Sequence, residues 1–428
     1  MRDRTLKQQA SVCIGRAGLE VGKLTFVRDG HREYSAFAYE RSWLERAERF
    51  DVSPDLPLRE GHFTRRAPSA EDSPFPFALA DTEPDAWGRR VIQRAHAKRR
   101  QRDPSLGALS RFDILAAVDD FSRVGGLRLR NSAGEHLSTG AVFRTPHLLE
   151  LERIYAATRA LEQGTETDAD LAFLQGKATS LGGLRPKCTI LDTNGALALG
   201  KFPSITDTRS IVRGEVLALK LARLAKLDVV EARIEMMDRT PVALIRRFDR
   251  SAEGRIAYLS GGSLLQARRD EDRSYTELAD ALRRVSIQPA QDTRELWRRM
   301  LFNLLITNVD DHLWNLGVLY AGDGQWRLAP AFDVNPFPDR ARESKTWLSE
   351  DVGPILSVKQ LIDACPYFGL EAAEARQEAT VMANILSTWR AVATSKEVGL
   401  ADVDLRAFES AFEHSEALAA RAGVTSGS

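Results

Sequence analysis

The chain has 428 residues, 43% of them hydrophobic and 28% charged, which predicts a globular protein of two or three packed units. Its 60 basic and 60 acidic side chains cancel, so net charge does not draw the chain to nucleic acid or to a membrane surface. Three distant cysteines exclude a disulfide framework and favour a reducing compartment. The charged N-terminal residues predict no signal peptide, and no apolar run is long enough to span a bilayer. We therefore expect a soluble, cytoplasmic protein without membrane contact.

The first third of the chain is rich in β-type patterns. Short apolar or alternating runs lie between residues 12 and 39 and are separated by glycines. Helical patterns follow over 84–100 and from Ser110, which is a suitable cap. The segment 131–146 is polar and contains turn residues. We place a domain boundary there and predict a β-rich N-terminal domain over residues 1–145.

The remaining residues, 146–428, predict a second and larger domain. A hairpin is expected over 188–201, because Asn-Gly stands between two apolar runs, and a second hairpin is expected over 234–246 with its turn at Arg239–Pro241. Beyond Arg250 the pattern is mostly helical. We divide this domain into a nucleotide-binding lobe, 146–250, and a helical catalytic lobe, 251–428.

The chemistry is concentrated around Asn308–Asn315. A predicted helix leads into this loop, which holds Asp310 and, five positions later, Asn315; a short hairpin then presents Asp333. Phosphoryl transfer needs a carboxylate that orients the attacking hydroxyl and metal ions that hold the phosphates. Magnesium takes hard oxygen ligands, often only one or two of them from the protein. The order Asp, Asn, hairpin, Asp is that of protein kinase catalytic loops, so we predict Asp310 as the base and Asn315 and Asp333 as Mg²⁺ ligands.

Each of these residues also has an ordinary structural reading. Asp and Asn in loops usually cap helices or complete turns, and only the combined spacing favours a site. Asp311 is expected to be a cap or a salt-bridge partner. His312 is expected to orient the loop or to contact phosphate rather than to act as the base. No His or Cys spacing typical of a zinc site occurs.

Upstream residues fit the binding of ATP. Adjacent glycines in a loop that ends in a lysine allow backbone N–H groups and a positive charge to approach phosphates. The residues of this predicted phosphate loop are Gly182, Gly183, Leu184, Arg185, Pro186 and Lys187. Lys201 ends the next strand, and Glu215 in the following helix is a suitable ion-pair partner, although the pattern equally allows both to face solvent. The apolar strand 242–245 runs into charged residues and is where a hinge would offer groups to adenine.

Taken together, these features resemble the HipA-type family of bacterial serine/threonine kinase toxins. The likeness extends over nearly the whole chain, and its most specific motifs are Asn308–Asn315 and Leu328–Asp333. The matching segments are Val21–Phe26, Leu56–Leu58, Trp87–Arg90, Asp113–Val118, Ser180–Lys187, Gly200–Pro203, Arg247–Arg250, Asn308–Asn315 and Leu328–Asp333.

The resemblance implies a specific fold and activity. The fold would be α+β, a two-lobed protein-kinase-like fold with a β-rich N-terminal domain and a mostly helical C-terminal lobe. Lys187 and Lys201 would contact the phosphates of ATP, and Arg246, Arg247 and Phe248 would contact adenine. Ser180 aligns with a serine that such kinases autophosphorylate, which would place a charge of about −1.5 to −2 in the phosphate loop.

The resemblance also implies partners. These are a small helix-turn-helix antitoxin of the HipB type, with DNA bound only indirectly through it, and a protein substrate such as an aminoacyl-tRNA synthetase. Trp314 departs from the family pattern, because many relatives carry a basic residue there. One alternative is a small-molecule kinase, which shares the same Asp and Asn logic. Another is a non-enzymatic pseudokinase or DNA-tethering module that uses the basic run from Arg89 to Arg102.

Overall fold

The computed structural model describes residues 5–30, 32–138, 148–175 and 185–423. The chain forms two compact units. The first comprises Met1–Ile205, Arg247–Arg269 and Gly322–Gly324, and the second comprises Thr206–Arg246, Asp270–Ala321 and Gln325–Ser428. No helix in the described part of the chain combines the length and the apolarity needed to cross a membrane.

The strands in chain order are β1 (Leu6–Ile14), β2 (Leu19–Asp29), β3 (Arg32–Tyr39), β4 (Phe63–Arg66), β5 (Leu127–Arg130), β6 (Lys187–Leu191), β7 (Leu197–Lys201), β8 (Ala232–Met237), β9 (Thr240–Arg246), β10 (Arg250–Ser251), β11 (Gly254–Arg255), β12 (Tyr258–Ser260), β13 (Gly317–Gly322), β14 (Gln325–Leu328), β15 (Trp347–Ser349) and β16 (Gly353–Pro354).

The α-helices are α1 (Arg41–Leu44), α2 (Phe77–Ala80), α3 (Ala86–Arg102), α4 (Arg111–Ala116), α5 (Leu151–Gln163), α6 (Asp168–Leu174), α7 (Ile211–Leu224), α8 (Gly261–Leu264), α9 (Tyr275–Val285), α10 (Pro289–Leu305), α11 (Val358–Ala364), α12 (Ala372–Leu386), α13 (Trp389–Thr394), α14 (Asp402–Phe412) and α15 (Ser415–Ala422). Short 3₁₀ helices occur at Leu148–Glu150, Leu313–Asn315 and Cys365–Phe368.

An antiparallel sheet of five strands, ordered β4-β3-β2-β1-β5, organises the first unit. Side chains alternate along β2, so Leu24 and Phe26 are buried while Lys23 faces solvent. Leu24 lies opposite Phe37 on β3. The ring of Phe26 lies 5.8 Å from that of Phe75 and 6.2 Å from that of Phe112, which places the core on this face of the sheet.

Side-chain caps fix the starts of two helices in this unit. The Asp85 carboxylate accepts a hydrogen bond from the backbone N–H of Gly88 at 2.7 Å and caps α3. Ser110 and Asp113 form a reciprocal capping box at the start of α4. The start predicted at Ser110 is therefore confirmed.

The β6–β7 hairpin forms where the Asn-Gly pair predicts it. Gly195 takes a φ of 76°, a conformation that glycine adopts without steric cost. The Asn194 carboxamide accepts a hydrogen bond from the backbone N–H of Ala196 at 2.9 Å. The register places Lys187 directly opposite Lys201.

Helices dominate the second unit, with α10 at their centre. This helix begins at Pro289, where a missing N–H has no consequence, and buries Trp297 and Phe302. It packs against α9, α11 and α12. The turn of the β8–β9 hairpin begins one residue earlier than predicted, at Asp238, which adopts a φ of 50°, and Thr240 already belongs to β9.

Candidate active site

The end of α10 positions the loop that carries the predicted base. Thr307 stops the helix with a φ of 55°, and its hydroxyl donates to the carbonyl of Ala411 at 3.0 Å. The Asn308 side chain donates to the Oδ1 of Asn303 at 3.0 Å. Thr307 and Asn308 are therefore each bonded to another part of the second unit before the loop reaches Asp310.

Asp310 and Asn315 are joined within this loop. The Asn315 Nδ2 donates to the main-chain carbonyl of Asp310 at 2.8 Å. This bond fixes the amide orientation, so the Oδ1 of Asn315 remains the acceptor end of the side chain. The Asp310 side chain is 34% exposed and forms an ion pair with Lys345. The base predicted from sequence is thus reachable from solvent, whereas Asn315 is buried.

Asp333 follows the β13–β14 hairpin in a strained backbone conformation. Its φ is 55°, in the left-handed region where non-glycine residues are uncommon. Its Oδ1 accepts from the Nδ2 of Asn335 at 3.2 Å, and the backbone N–H of Asn335 donates to the Oδ1 of Asn308 at 3.4 Å. Strain of this kind persists where the surroundings enforce it and often marks a functional site.

Asn315 and Asp333 share one cavity in the second unit. The space measures about 420 Å³, part of it open to solvent, and its polar lining also includes Asn308 and Asp311. One amide oxygen and one carboxylate are hard donors of the type that Mg²⁺ accepts when phosphates and water complete the shell. The described residues contain no group of three or more His, Cys, Asp or Glu suited to a metal. The donor set fits magnesium held jointly with a phosphate ligand.

Asp311 is a component of the site that the sequence did not reveal. Its carboxylate accepts from the hydroxyl of Tyr275 and from the backbone N–H of Lys345, each at 2.7 Å. Burial raises the pKa of Asp311 to about 6, although these donors lower it. Expected to be a cap or a salt-bridge partner, Asp311 instead anchors the loop Asn308–Asn315 to two distant segments. No local signal indicates this, because both partners are more than 30 positions away.

The predicted lysines lie in the first unit, and both are buried. The Lys187 ammonium lies 3.1 Å from the Oδ2 of Asp85, the cap of α3. Lys201 is 6% exposed and Glu215, in α7 of the second unit, is 2% exposed. The alternative in which Lys201 and Glu215 both face solvent is therefore wrong, since both side chains are shielded from water; their mutual pairing stays a prediction.

Two family models match the sequence. Residues 179–396, half of the chain, match the HipA-like C-terminal domain, and residues 13–118 match the HipA N-terminal domain. The chain belongs to the HipA family. The family predicted from sequence is confirmed. This HipA protein has a mixed α/β fold and a kinase-like architecture of two domains.

Three individual proteins are similar to this HipA protein. A Sinorhizobium fredii (strain NBRC 101917 / NGR234) protein named "Putative kinase Y4mE" is 26% identical over 338 residues, 72% of this chain and 73% of the relative. The HipA of Shewanella oneidensis MR-1, solved with HipB and operator DNA, matches with a TM-score of 0.65 and 16% identity over 97% of this chain and 96% of that chain. The Helicobacter pylori proinflammatory kinase CtkA matches at a TM-score of 0.44, with 15% identity over 57% of this chain and 90% of that chain.

The three residues predicted to contact adenine in this HipA protein each contact other residues of the chain. Arg246 pairs with Glu231 at 3.1 Å. Arg247 is buried and makes two hydrogen bonds to Asp249, at 2.7 and 2.6 Å. Phe248 packs at 5.6 Å from the ring of Tyr258. Arg247 thus has a structural role, and its contact with adenine stays a prediction.

The predicted phosphate loop lies only partly within the described residues. Ser180, Gly182, Gly183 and Leu184 lie outside the described residues. Pro186 accepts a backbone hydrogen bond from Phe202 at 3.0 Å, which continues the β6–β7 pairing beyond Lys187, while Arg185 is partly exposed. His312 begins the 3₁₀ turn Leu313–Asn315, and its ring lies 6.2 Å from that of Trp314.

The basic run on α3 is largely engaged within the first unit. Arg94 pairs with the buried carboxylate of Glu166 at 2.5 Å, and Lys98 lies 3.8 Å from the same oxygen. Arg102 pairs with Asp168, and Arg90 donates to the carbonyl of Leu161 at 3.2 Å. These contacts attach α3 to α5 and α6, and they account for much of the charge that a DNA-tethering role would need.

Proposed function

We propose that this protein is an ATP-dependent serine/threonine protein kinase with Asp310 as its catalytic base. The observation that carries the proposal is the joint placement of Asn315 and Asp333 in one cavity, with Asn315 bonded at 2.8 Å to the residue that bears the base. Membership of the HipA family and a relative named as a kinase give independent support.

The reaction follows from the residues present. The acceptor hydroxyl donates its hydrogen bond to the Asp310 carboxylate, which holds the oxygen for in-line attack on the γ-phosphorus of ATP. A bond forms between that oxygen and phosphorus, and the bond from phosphorus to the bridging oxygen of ADP breaks. The hydroxyl proton passes to Asp310. When bound, Mg²⁺ would neutralise charge on the phosphates, with the Asn315 Oδ1 and the Asp333 carboxylate as its protein ligands.

The same proposal covers the lysines and the partners. Lys187 and Lys201 would contact phosphate, with Glu215 paired to Lys201, and Ser180 would be the autophosphorylation site. The antitoxin would be a helix-turn-helix protein, since the similar Shewanella HipA was solved with HipB and operator DNA. The substrate would be a translation factor such as an aminoacyl-tRNA synthetase. Mass spectrometry after incubation with Mg-ATP tests the role of Ser180, and phosphate found only on other residues would reject it.

The test of the activity is transfer of label from Mg-[γ-³²P]ATP, with and without cell lysate. Asp310→Asn should lower transfer by roughly 10²–10⁴-fold, the usual contribution of a positioned acid or base, and should leave nucleotide binding largely intact. Asp333→Ala should weaken Mg-ATP binding as well, because the metal loses a ligand. A matched control is Asp363→Asn, an exposed carboxylate paired with Lys359 on α11.

Each outcome separates the candidate functions. Label on this chain or on a lysate protein that disappears in Asp310→Asn supports a protein kinase. Label that appears only on small molecules would replace it by a small-molecule kinase. Nucleotide binding without any transfer would indicate a pseudokinase or binding module. An equal loss of binding in both active-site variants would reject the separate roles of base and metal ligand.

A further inference from the structure

The loop that carries the proposed base has two carboxylates. Residues Asn308–Asn315 include Asp310 and Asp311 but no lysine or arginine. Both carboxylates bind the same distant residue. The ammonium of Lys345 pairs with Asp310, and the backbone N–H of Lys345 donates to the Oδ1 of Asp311 at 2.7 Å. Two neighbouring aspartates thus hold one lysine at both ends.

The backbone around Lys345 is anchored on both sides. The hydroxyl of Thr346 donates to the main-chain carbonyl of Asp311 at 2.8 Å. The backbone N–H of Trp347, the first residue of β15, donates to the carbonyl of Arg273 at 3.0 Å. The hydroxyl of Tyr275 holds the other side of the Asp311 carboxylate. Such support fixes the origin of the lysine side chain while its ammonium end, on a side chain that is 50% exposed, remains accessible.

We propose that Lys345 is a second catalytic residue of this site, whose ammonium stabilises the negative charge of the γ-phosphoryl group during its transfer. The inference rests on the proposed kinase function and extends it by a residue. In the resting protein the ammonium orients the Asp310 carboxylate. During the reaction it also contacts the oxygens of the phosphoryl group.

The geometry of the reaction brings the phosphoryl group to Lys345. A base must lie within about 2.6–3.2 Å of the hydroxyl oxygen that it deprotonates. That oxygen must lie about 3–3.5 Å from the phosphorus that it attacks. An ammonium on the same carboxylate is therefore within reach of the phosphoryl oxygens, and the flexible lysine stem allows it to follow them. Lys345 keeps its proton throughout, since the hydroxyl proton passes to Asp310.

An ordinary surface ion pair in the same unit provides the contrast. Lys359 pairs with Asp363 at 2.6 Å on α11, and its side chain is 52% exposed, nearly the same as that of Lys345. That pair joins successive turns of one helix, and such pairs contribute little. The Lys345 pair instead spans 35 positions and ends on the proposed base. The two lysines differ in location rather than in exposure.

The experiment compares Lys345→Met, Lys345→Arg and the matched control Lys359→Met by steady-state transfer of labelled phosphate. Lys345→Met should lower kcat by roughly 10²-fold, the loss typical of one donor to a charged transition state. Its KM for ATP should change less than about threefold, because the ground-state complex does not depend on this contact. Lys345→Arg should recover most of the rate. Lys359→Met should match the wild type, and all three variants should unfold at the wild-type denaturant midpoint.

Four results would overturn the inference. The first is a wild-type kcat in Lys345→Met. The second is an Arg variant as slow as the Met variant, which would show that the positive charge is not what matters. The third is a loss confined to KM for ATP, which would make Lys345 a nucleotide-binding residue. The fourth is absence of transfer by the wild type itself, which rejects the proposed function and the role of Lys345 together, whereas the first three leave the kinase function standing.

Discussion

Two buried aspartates, Asp249 in the first unit and Asp311 in the second, respond in opposite ways to the same loss of water. Burial raises the pKa of Asp249, but the charges of Arg247 and Arg250 outweigh it, and the pKa ends well below the ordinary 3.8. Burial also raises the pKa of Asp311, and only neutral donors oppose it, so the pKa stays near 6. The difference lies in the neighbours. Arginines stabilise the carboxylate in one unit, and a hydroxyl and backbone N–H groups only partly do so in the other.

This contrast separates charges that hold the fold from charges that lie at the candidate site. The arginines around Asp249 also bond to the backbone of Ser122 and Arg123. The cluster of Arg247, Asp249 and Arg250 thus attaches the segment that follows β9 to another part of the first unit. In the second unit the ammonium of Lys345 pairs with Asp310, and only the backbone N–H of this lysine donates to Asp311. The cation thus lies on the exposed carboxylate that has a proposed chemical role.

The largest expected effect comes from breaking the arginine cluster. Asp249→Ala should lower the free energy of unfolding by about 3–5 kcal/mol, because it leaves the buried Arg247 and the half-buried Arg250 without their carboxylate. Chemical denaturation measures it. Asp363→Ala, which breaks an exposed pair, should change stability by less than about 1 kcal/mol. Equal losses of unfolding free energy in both variants would show that Asp249 contributes no more to stability than an exposed ion pair does.

The pH dependence of stability should distinguish the two buried aspartates. Since the folded-state pKa of Asp311 lies above the unfolded value of 3.8, the folded protein binds the extra proton. Asp311 therefore stabilises the fold less as the pH rises from about 4 to about 7, by up to about 3 kcal/mol. Asp249 has the opposite sign, because its contribution is present above pH 3.8 and is lost as the pH falls below that value.

Asp311→Asn is the variant that isolates this effect. The difference in unfolding free energy between wild type and variant, measured by urea denaturation, should shift in favour of the variant across that interval. Loss of one acceptor toward Tyr275 or Lys345 adds only a constant offset. A difference that stays flat with pH would show that Asp311 does not titrate in this range.

A smaller effect is expected at the start of α3. Asp85→Asn keeps an oxygen that caps the helix but removes the charge beside Lys187, so stability should fall by about 1–3 kcal/mol. The double variant Asp85→Asn with Lys187→Met should be more stable than Lys187→Met alone, since it no longer buries an unpaired carboxylate. Thermal unfolding of the three variants gives the coupling. Additive losses would mean that the 3.1 Å pair is not an energetic contact.

The sequence by itself determined the features set by near neighbours. Asn194 and Gly195 predict their hairpin, Ser110 predicts its helix start, and the five-residue spacing from Asp310 to Asn315 predicts a loop that the bond between them closes. The family resemblance was also readable from motifs. These features depend on backbone preferences and side-chain bonds within a few residues of each other.

Only the tertiary structure decided which charges meet. Asp249 bonds to the backbone of Gly125 across 124 positions, Lys187 pairs with the cap of α3, and Lys345 reaches Asp310 across 35 positions. No sequence pattern encodes these partners, because packing of distant elements brings them together. Burial then sets how each charged group affects pKa and stability, since a charge removed from water depends on the neighbours that packing supplies.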